Sequence, residues 1–396
     1  MQDVAGSPSV GAPRAASTST IGLVNQAAIV EALRTQGPMS KARLGTLTGL
    51  SPATVNRLTA LLMSEGLIAH QGVEASSGGR PPVILAVVGS ALVVAALQIH
   101  PDRVSGALID FDGVIVDRVE EPIPLDGSST GLELTHAVLG GLLTAAAARD
   151  TPVRAIGIAL AGIVDPQGNI SGLDSGRWPP LTVDELVGGQ TVPVIVENDA
   201  NALALGELHR GVGRSSPHFV SLLLDRGLGA GIVANGALYR GARSAAGEVG
   251  YLLVEPSASA RRFQDTGDLE ARISAAEITA QAREAGLRPG AELTAMEIIG
   301  MARAGEERAD AIAARVLDEL ARAVAALSSI LDPEYVVLGE GLDRESDFVT
   351  PALEERLRGR IQRVPSIVTA SLGADAVLLG AAETAIRAAN VRTVAH

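Results

Sequence analysis

The chain has 396 residues, enough for two or three domains. It is 47% hydrophobic and only 2% aromatic, so its cores must be built from Ala, Val, Leu and Ile, which favours layered α/β packing. A net charge of −13 and the lack of any cysteine exclude binding of polyanions by bulk charge, disulfides and thiolate-ligated zinc, and the cysteine usage fits a reducing cytoplasm.

Residues 1–20 are rich in Ala, Ser, Pro and Gly and read as a disordered tail, without the basic start and apolar run of a signal peptide. Residues 25–35 predict a helix with Ile29, Val30 and Leu33 inward, stopped by Gly37-Pro38. Ser40 is an N-cap for a short second helix over 41–47, and Gly49 in "TGLS" supplies a left-handed turn. Ser51 caps a third helix with Pro52 at its first position, where the missing N–H costs nothing. Val55, Leu58, Leu61 and Leu62 are its expected buried stripe, with Ala53, Thr54, Asn56, Arg57 and Thr59 outward or flanking it.

This order is that of a helix-turn-helix, whose last helix would put Ser51, Ala53, Thr54, Asn56 and Arg57 at base edges in the major groove. Asn and Arg there read adenine and guanine by paired hydrogen bonds. A strand follows, then "SSGGRPP", in which Arg80 is placed as a wing would place a minor-groove guanidinium. Residues 21–90 carry five basic and three acidic side chains, a net +2 that leaves −15 on the remainder, an asymmetry that suits a DNA-touching end. The same helices also suit a plain three-helix or dimerisation bundle.

Residues 83–99 are uncharged, but Gly89-Ser90 interrupts them, and two buried strands fit better than a membrane span. Beyond them apolar strands alternate with Ala-rich helices, an α/β pattern. Asp112-Gly113 marks a hairpin. Residues 219–241 read as two strands around a Gly-rich loop with a turn at Asn235-Gly236, a pattern that 245–256 continue. A long helix over 309–331 precedes a late strand in "LDPEYVVLGEGL". In "VENDANALALGE" a hydrophobic strand ends at Asn198-Asp199, and Asp199 is either a proton-accepting carboxylate or a cap on the next helix. Trp178 either stacks on a ligand or plugs its lobe.

Residues 21–90, with "GPMSKARLGTLTGLSPATVNRLTALLMSEGLI" followed by "SSGGRPP", resemble the winged-helix domain of ROK-family transcriptional regulators, and the resemblance runs from about residue 21 to 389. It implies an α/β chain with an N-terminal winged helix-turn-helix (residues 21–90) and a two-lobed, actin-like or ribonuclease-H-like sugar-kinase-type body (residues 91–396). Asn198-Asp199 match the family's Asn-Asp, whose Asp takes the sugar hydroxyl proton. Glu248 in "AAGEVGY" and Glu270 in "GDLEA" match sugar-binding positions, and Tyr251 stands for the family His, so Asn198, Asp199, Glu248, Tyr251 and Glu270 are the expected ligand contacts.

Other motifs depart from the family. "QIHPD" replaces Asp-x-Gly-Gly-Thr, so Pro101 removes an N–H and Asp102 adds charge where phosphates would lie; "DRGLGAG" replaces the second phosphate loop. Arg261, Phe263 and Asp268 take zinc-Cys positions, and no metal or cofactor is expected. The implied function is a cytoplasmic, DNA-binding regulator, a repressor, that senses a sugar or sugar derivative without phosphorylating it, Asp199 being a vestigial base. Its expected partners are operator DNA, the effector and copies of itself, as a dimer or a tetramer, with no membrane. The alternatives are an active sugar kinase with a DNA-binding domain, and a regulator whose body only oligomerises.

Overall fold

The computed structural model describes residues 18–73, 83–124, 129–165, 168–171, 178, 181–225, 227–255, 266–287, 290 and 292–393. They fall into two compact units, the first taking residues up to Val88 together with those from Asn390 on, the second Gly89–Ala389.

The first unit contains α1 (Thr18–Gln36), β1 (Met39–Ser40), α2 (Lys41–Thr48), α3 (Pro52–Ser64), β2 (Ile68–Val73) and β3 (Val83–Val87). The strands form one antiparallel sheet in the order β1-β3-β2. Ser40 and Ser51 cap α2 and α3 through the amides of Arg43 and Thr54, and Gly49 takes a φ of 68° between the helices, a turn that a side chain would strain. Ile29, Val30, Leu33, Leu44, Val55, Leu58 and Leu62 are buried in one core. Two expectations are corrected. Helix α1 begins at Thr18, so residues 18–20 belong to a helix and not to a disordered tail; the rest of that tail lies outside the described residues. Leu61 is 37% exposed and Thr59 is buried. The Thr59 hydroxyl donates to the Val55 carbonyl at 2.8 Å, which removes the cost of burying it and turns the stripe to 55, 58, 59 and 62.

The second unit is built from two sheets of the same design. In the first lobe, β4 (Val93–Ile99), β5 (Arg103–Asp110) and β6 (Ile115–Pro122) form an antiparallel meander. Then come α4 (Gly131–Ala148), β7 (Val153–Leu160), the small sheet of β8 (Ile163–Val164), β9 (Asn169–Ser171) and β10 (Leu181–Thr182), α5 (Val183–Val187) and β11 (Val194–Asn198). The sheet order is β11-β7-β4-β5-β6, with β11, β7 and β4 parallel. After α6 (Asp199–Arg210) the second lobe repeats the plan. Its strands β12 (Phe219–Leu224), β13 (Leu228–Ala234) and β14 (Ala237–Leu238) are antiparallel. Helices α7 (Asp268–Ile273), α8 (Ala275–Glu284), α9 (Ala295–Arg303) and α10 (Glu307–Leu331) lead to β15 (Tyr335–Leu338), α11 (Ser346–Leu357), β16 (Ser366–Thr369) and α12 (Ala376–Thr393). The order here is β14-β13-β12-β15-β16. In both lobes the first strand lies between its own hairpin and the parallel strands that follow. Residues 245–254 do not extend the sheet as expected; within them Val249–Tyr251 is a 3-10 turn.

The apolar stretch 83–99 is two strands separated by a turn at Gly89–Ala91, and every residue of β4 is buried. By length and composition α4 could cross a membrane, but Val138, Leu139, Leu142 and Ala146 form a face packed into the first lobe's core.

Candidate functional site

In the first unit the outer face of α3 presents Ser51, Ala53, Asn56 and Arg57 to solvent, with Thr54 half-buried. Ser51 and Thr54 are partly occupied as the helix cap, their hydroxyls 2.9 Å apart. Lys41, on the first residue of α2, donates to the Asn56 side-chain oxygen at 3.1 Å. That contact orients the amide so that its NH₂ group remains to donate outward. Lys41 and the exposed Arg43 border the same helices, and sequence reasoning had counted them only as charge. Arg80 and its wing lie outside the described residues.

In the second unit the ends of five strands converge: Gln98 and His100 at the end of β4, Leu160 to Gly162 at the end of β7, Asn198-Asp199 at β11, Asp225 after β12 and Glu340 after β15. Open α/β sheets bind ligands at carboxyl ends where the strand order reverses, and here two such edges face one cavity of about 890 Å³. Ile99, His100, Asn198, Asp199, Asp225, Glu248, Tyr251 and Glu270 all line it, so the five expected ligand residues are brought together.

The geometry separates their roles. Asn198, not Asp199, is the N-cap of α6, accepting the Asn201 amide at 3.2 Å and donating to the Gly162 carbonyl at 3.3 Å. One Asp199 oxygen accepts the Ala200 amide at 2.7 Å. Burial, reinforced by the charges of Asp225, Glu340 and Glu248, pushes its carboxyl up to about 7, a value suited to exchanging a proton with a hydroxyl near neutral pH. Gly247, at φ 92°, lies against β13, where a Cβ would meet the Ala230 carbonyl oxygen at 1.7 Å. This close approach sets the position of Glu248, whose carboxyl is raised by burial. The Glu270 carboxylate lies between Gly227 and Gly250, whose Cβ atoms would stand 2.7 and 2.6 Å from its oxygens. Burial and then Glu248 push it up to about 7. Tyr251 is 44% exposed at the cleft. Trp178 is 4% exposed, packs over Gly131 in the first lobe's core and also lines the cavity.

In both phosphate-loop segments a described backbone amide is turned to its own loop. The His100 amide donates to the Arg103 carbonyl at 2.9 Å, Pro101 has no amide, and the Asp225 amide donates to the Gly227 carbonyl at 3.2 Å. A residue that sequence reasoning missed, Glu340, joins the lobes here. It accepts from the Gln98 side-chain Nε2 at 2.7 Å and from Arg103 at 3.0 Å, with the His100 ring 3.8 Å away. Burial and Arg103 push His100 down to about 4, so its ring is neutral at pH 7. Glu197, also missed, is buried and accepts from Arg240 and Asn201, fixing the strand end from behind. Arg226 lies outside the described residues.

The residues at the family's zinc positions do not form a donor set. Asp268 accepts the Val254 amide at 2.8 Å and faces Arg272, which also pairs with Glu255 and Glu319. Arg261 and Phe263 lie outside the described residues. Among the described residues no group of three His, Cys, Asp or Glu is placed to hold a metal.

Fold and site together define the class, a winged helix followed by an actin-like body of the sugar-kinase type. The ROK family profile matches residues 94–388, and the chain belongs to the ROK family. A xylose repressor of Bacillus spizizenii is 28% identical over 233 residues, 59% of this chain and 61% of the repressor; the match therefore spans about three fifths of that relative. A glucokinase of Thermotoga maritima is 32% identical over 300 residues, 70% of this chain and 92% of the enzyme. A solved structure described as a ROK family transcriptional regulator, homologous to the Escherichia coli Mlc protein, superposes with a TM-score of 0.79 at 24% identity. It covers 95% of this chain and 100% of its own, which establishes the shared fold.

Proposed function

We propose that this protein is a cytoplasmic, sequence-specific DNA-binding transcriptional regulator, a repressor, in which residues 21–90 read operator DNA and residues 91–396 sense a sugar or sugar derivative without phosphorylating it. One observation carries this reading: residues at the family's sugar positions share one cavity, while described amides of both phosphate-loop segments are bonded within their own loops. Asp199, Glu248 and Glu270 line one cavity, whereas the amides of His100 and Asp225 are bonded within their own loops and Glu340 is held by Gln98 and Arg103. Phosphoryl transfer is mainly positioning and charge stabilisation of the phosphates. A base without a phosphate cradle holds a hydroxyl and transfers nothing. The xylose repressor relative supports the reading, and the exposed face of α3 supports DNA contact by Ser51, Ala53, Thr54, Asn56 and Arg57. Arg80 is assigned to the wing from the sequence pattern. A symmetric dimer would match paired half-sites.

Anisotropy titration of the protein against the DNA upstream of its own gene tests this. Specific binding is expected, and Arg57→Ala should weaken it by about 1–3 kcal/mol while relaxing the preference at one base position. Equal affinity for operator and scrambled DNA at moderate salt would sink the proposal. A kinase reading is favoured by the carboxyl of Asp199 near 7 and by the glucokinase relative. ADP release with a sugar panel decides it: turnover that disappears in Asp199→Asn would establish an enzyme.

A further inference from the structure

On the outer face of α3, Asn56 is exposed and its side-chain oxygen is already in use. Lys41, at the start of α2, donates to that oxygen at 3.1 Å. The backbone at both ends of this contact is fixed. Ser40 caps α2 through the Arg43 amide, Ser51 caps α3 through the Thr54 amide, and Gly49 turns between the helices at a φ of 68°. Leu44 of α2 and Val55 and Leu58 of α3 are buried in the core beneath them. The turn thus carries the ammonium to the amide before any ligand arrives. The hydroxyls of Ser51 and Thr54 are bonded to each other at 2.9 Å as part of the helix cap, whereas Asn56 and Lys41 take no part in either cap.

We infer that Lys41 and Asn56 act as one reader, which selects guanine over adenine at the base pair they meet. The inference rests on the DNA reading proposed above for the exposed face of α3. An asparagine reads adenine by doing two things at once, donating to N7 and accepting from the amino group on C6. Here the ammonium stands 3.1 Å from the accepting oxygen, where the adenine amino group would bring positive hydrogens of its own. The amide NH₂ group and the other ammonium hydrogens all donate, so the pair presents donors. The major-groove edge of guanine presents two acceptors, N7 and O6, and matches them. Adenine sets an amino group against a cation, the kind of mismatch by which a site rejects a competitor. In water an exposed polar contact of this kind adds little stability. Its effect lies in the choice of base, because the fixed helices hold the charge in place while the groove excludes water and strengthens its field.

The test is selection of sites by the full-length protein from a randomised duplex library, followed by anisotropy titration of single-base variants of the selected site. Asn56→Ala identifies the position that Asn56 meets, as the one whose preference is lost. There the wild type should favour a guanine·cytosine pair over adenine·thymine roughly tenfold. Lys41→Met frees the oxygen, and the preference at that position should move to adenine while the other positions keep theirs. A purely structural role for Lys41 would not move one position alone. A wild-type preference for any other base pair there, or a guanine preference unchanged in Lys41→Met, overturns the inference. So does a Lys41→Met variant that weakens every sequence alike and lowers the salt dependence by about one unit of slope, the mark of a lysine on a phosphate. A selected site with no position that depends on Asn56 overturns it as well and leaves DNA reading intact. Selection of no site by the wild type refutes the DNA reading itself.

Discussion

Asp199 owes its chemistry to the residue before it. Because Asn198 takes the capping position, Asp199 starts α6 with one oxygen on the Ala200 amide and the other left for the cleft. Its ordinary value of 3.8 is raised to about 7, first by burial and then by nearby carboxylates. An acid whose folded value exceeds its unfolded value costs stability as pH rises. The cost is absent below about 4, where both states are protonated, and is complete above about 7, where both are ionised. Asp199→Asn keeps an acceptor for Ala200 and removes the charge. The ligand-free variant should therefore melt above the wild type at pH 8, with the difference shrinking toward pH 4. Thermal unfolding at pH 8, 6 and 4 checks this, and a difference independent of pH would show that Asp199 is not held in the strained ionised form. The sequence made Asp199, Glu248 and Glu270 legible because each sits in a short motif. Glu340 was not legible: it occupies an ordinary Gly turn, and its partner Gln98 is 242 residues away.

At the scale of elements, α6 links the two lobes, starting at the end of β11 and packing beneath β12 and β13, where the Ser221 hydroxyl donates to the Ala200 carbonyl at 3.2 Å. Helix α12 crosses it at a distance that only glycine permits. A Cβ on Gly380 would stand 1.7 Å from the Ala202 carbonyl oxygen, and one on Gly206 would stand 2.3 Å from that of Ala376. The obstructing atoms are backbone, so neither helix can yield by changing a rotamer. Gly380→Val should cost about 2 kcal/mol or more and lower Tm by several degrees; an unchanged Tm would mean that the helices are not in close contact. No local pattern announced this crossing, since each glycine stands singly among Ala and Leu residues. The first unit was more legible because Ser40, Gly49, Ser51 and Pro52 each have a specific local role in starting or ending a helix. The sequence missed there in the start of α1, which begins at Thr18, and in helical phase at Leu61 and Thr59, where two positions on one shoulder of α3 competed and the self-bonded hydroxyl of Thr59 took the buried one.

For the whole molecule, the proposed function requires that effector binding and operator binding influence each other. A ligand of the native state at 100 times its Kd adds about 2.7 kcal/mol of stability, but that alone shows only occupancy. Regulation requires differential affinity for two states, and linkage makes it reciprocal: the factor by which effector changes operator affinity equals the factor by which operator changes effector affinity. For a working sensor both ratios should agree and lie between about 5 and 150. Measuring the operator Kd with and without saturating sugar, and the sugar Kd with and without saturating operator, closes this cycle. A thermal shift with both ratios at unity would describe a body that binds sugar and does not report it to DNA. Such a result would make the cleft a remnant of an enzyme's binding site, kept for its fold. If both ratios depart from unity by the same factor, the cleft and the winged helix work as one switch. Substituting Glu340, which ties the lobes together at Gln98 and Arg103, should then change that factor more than it changes DNA affinity without ligand.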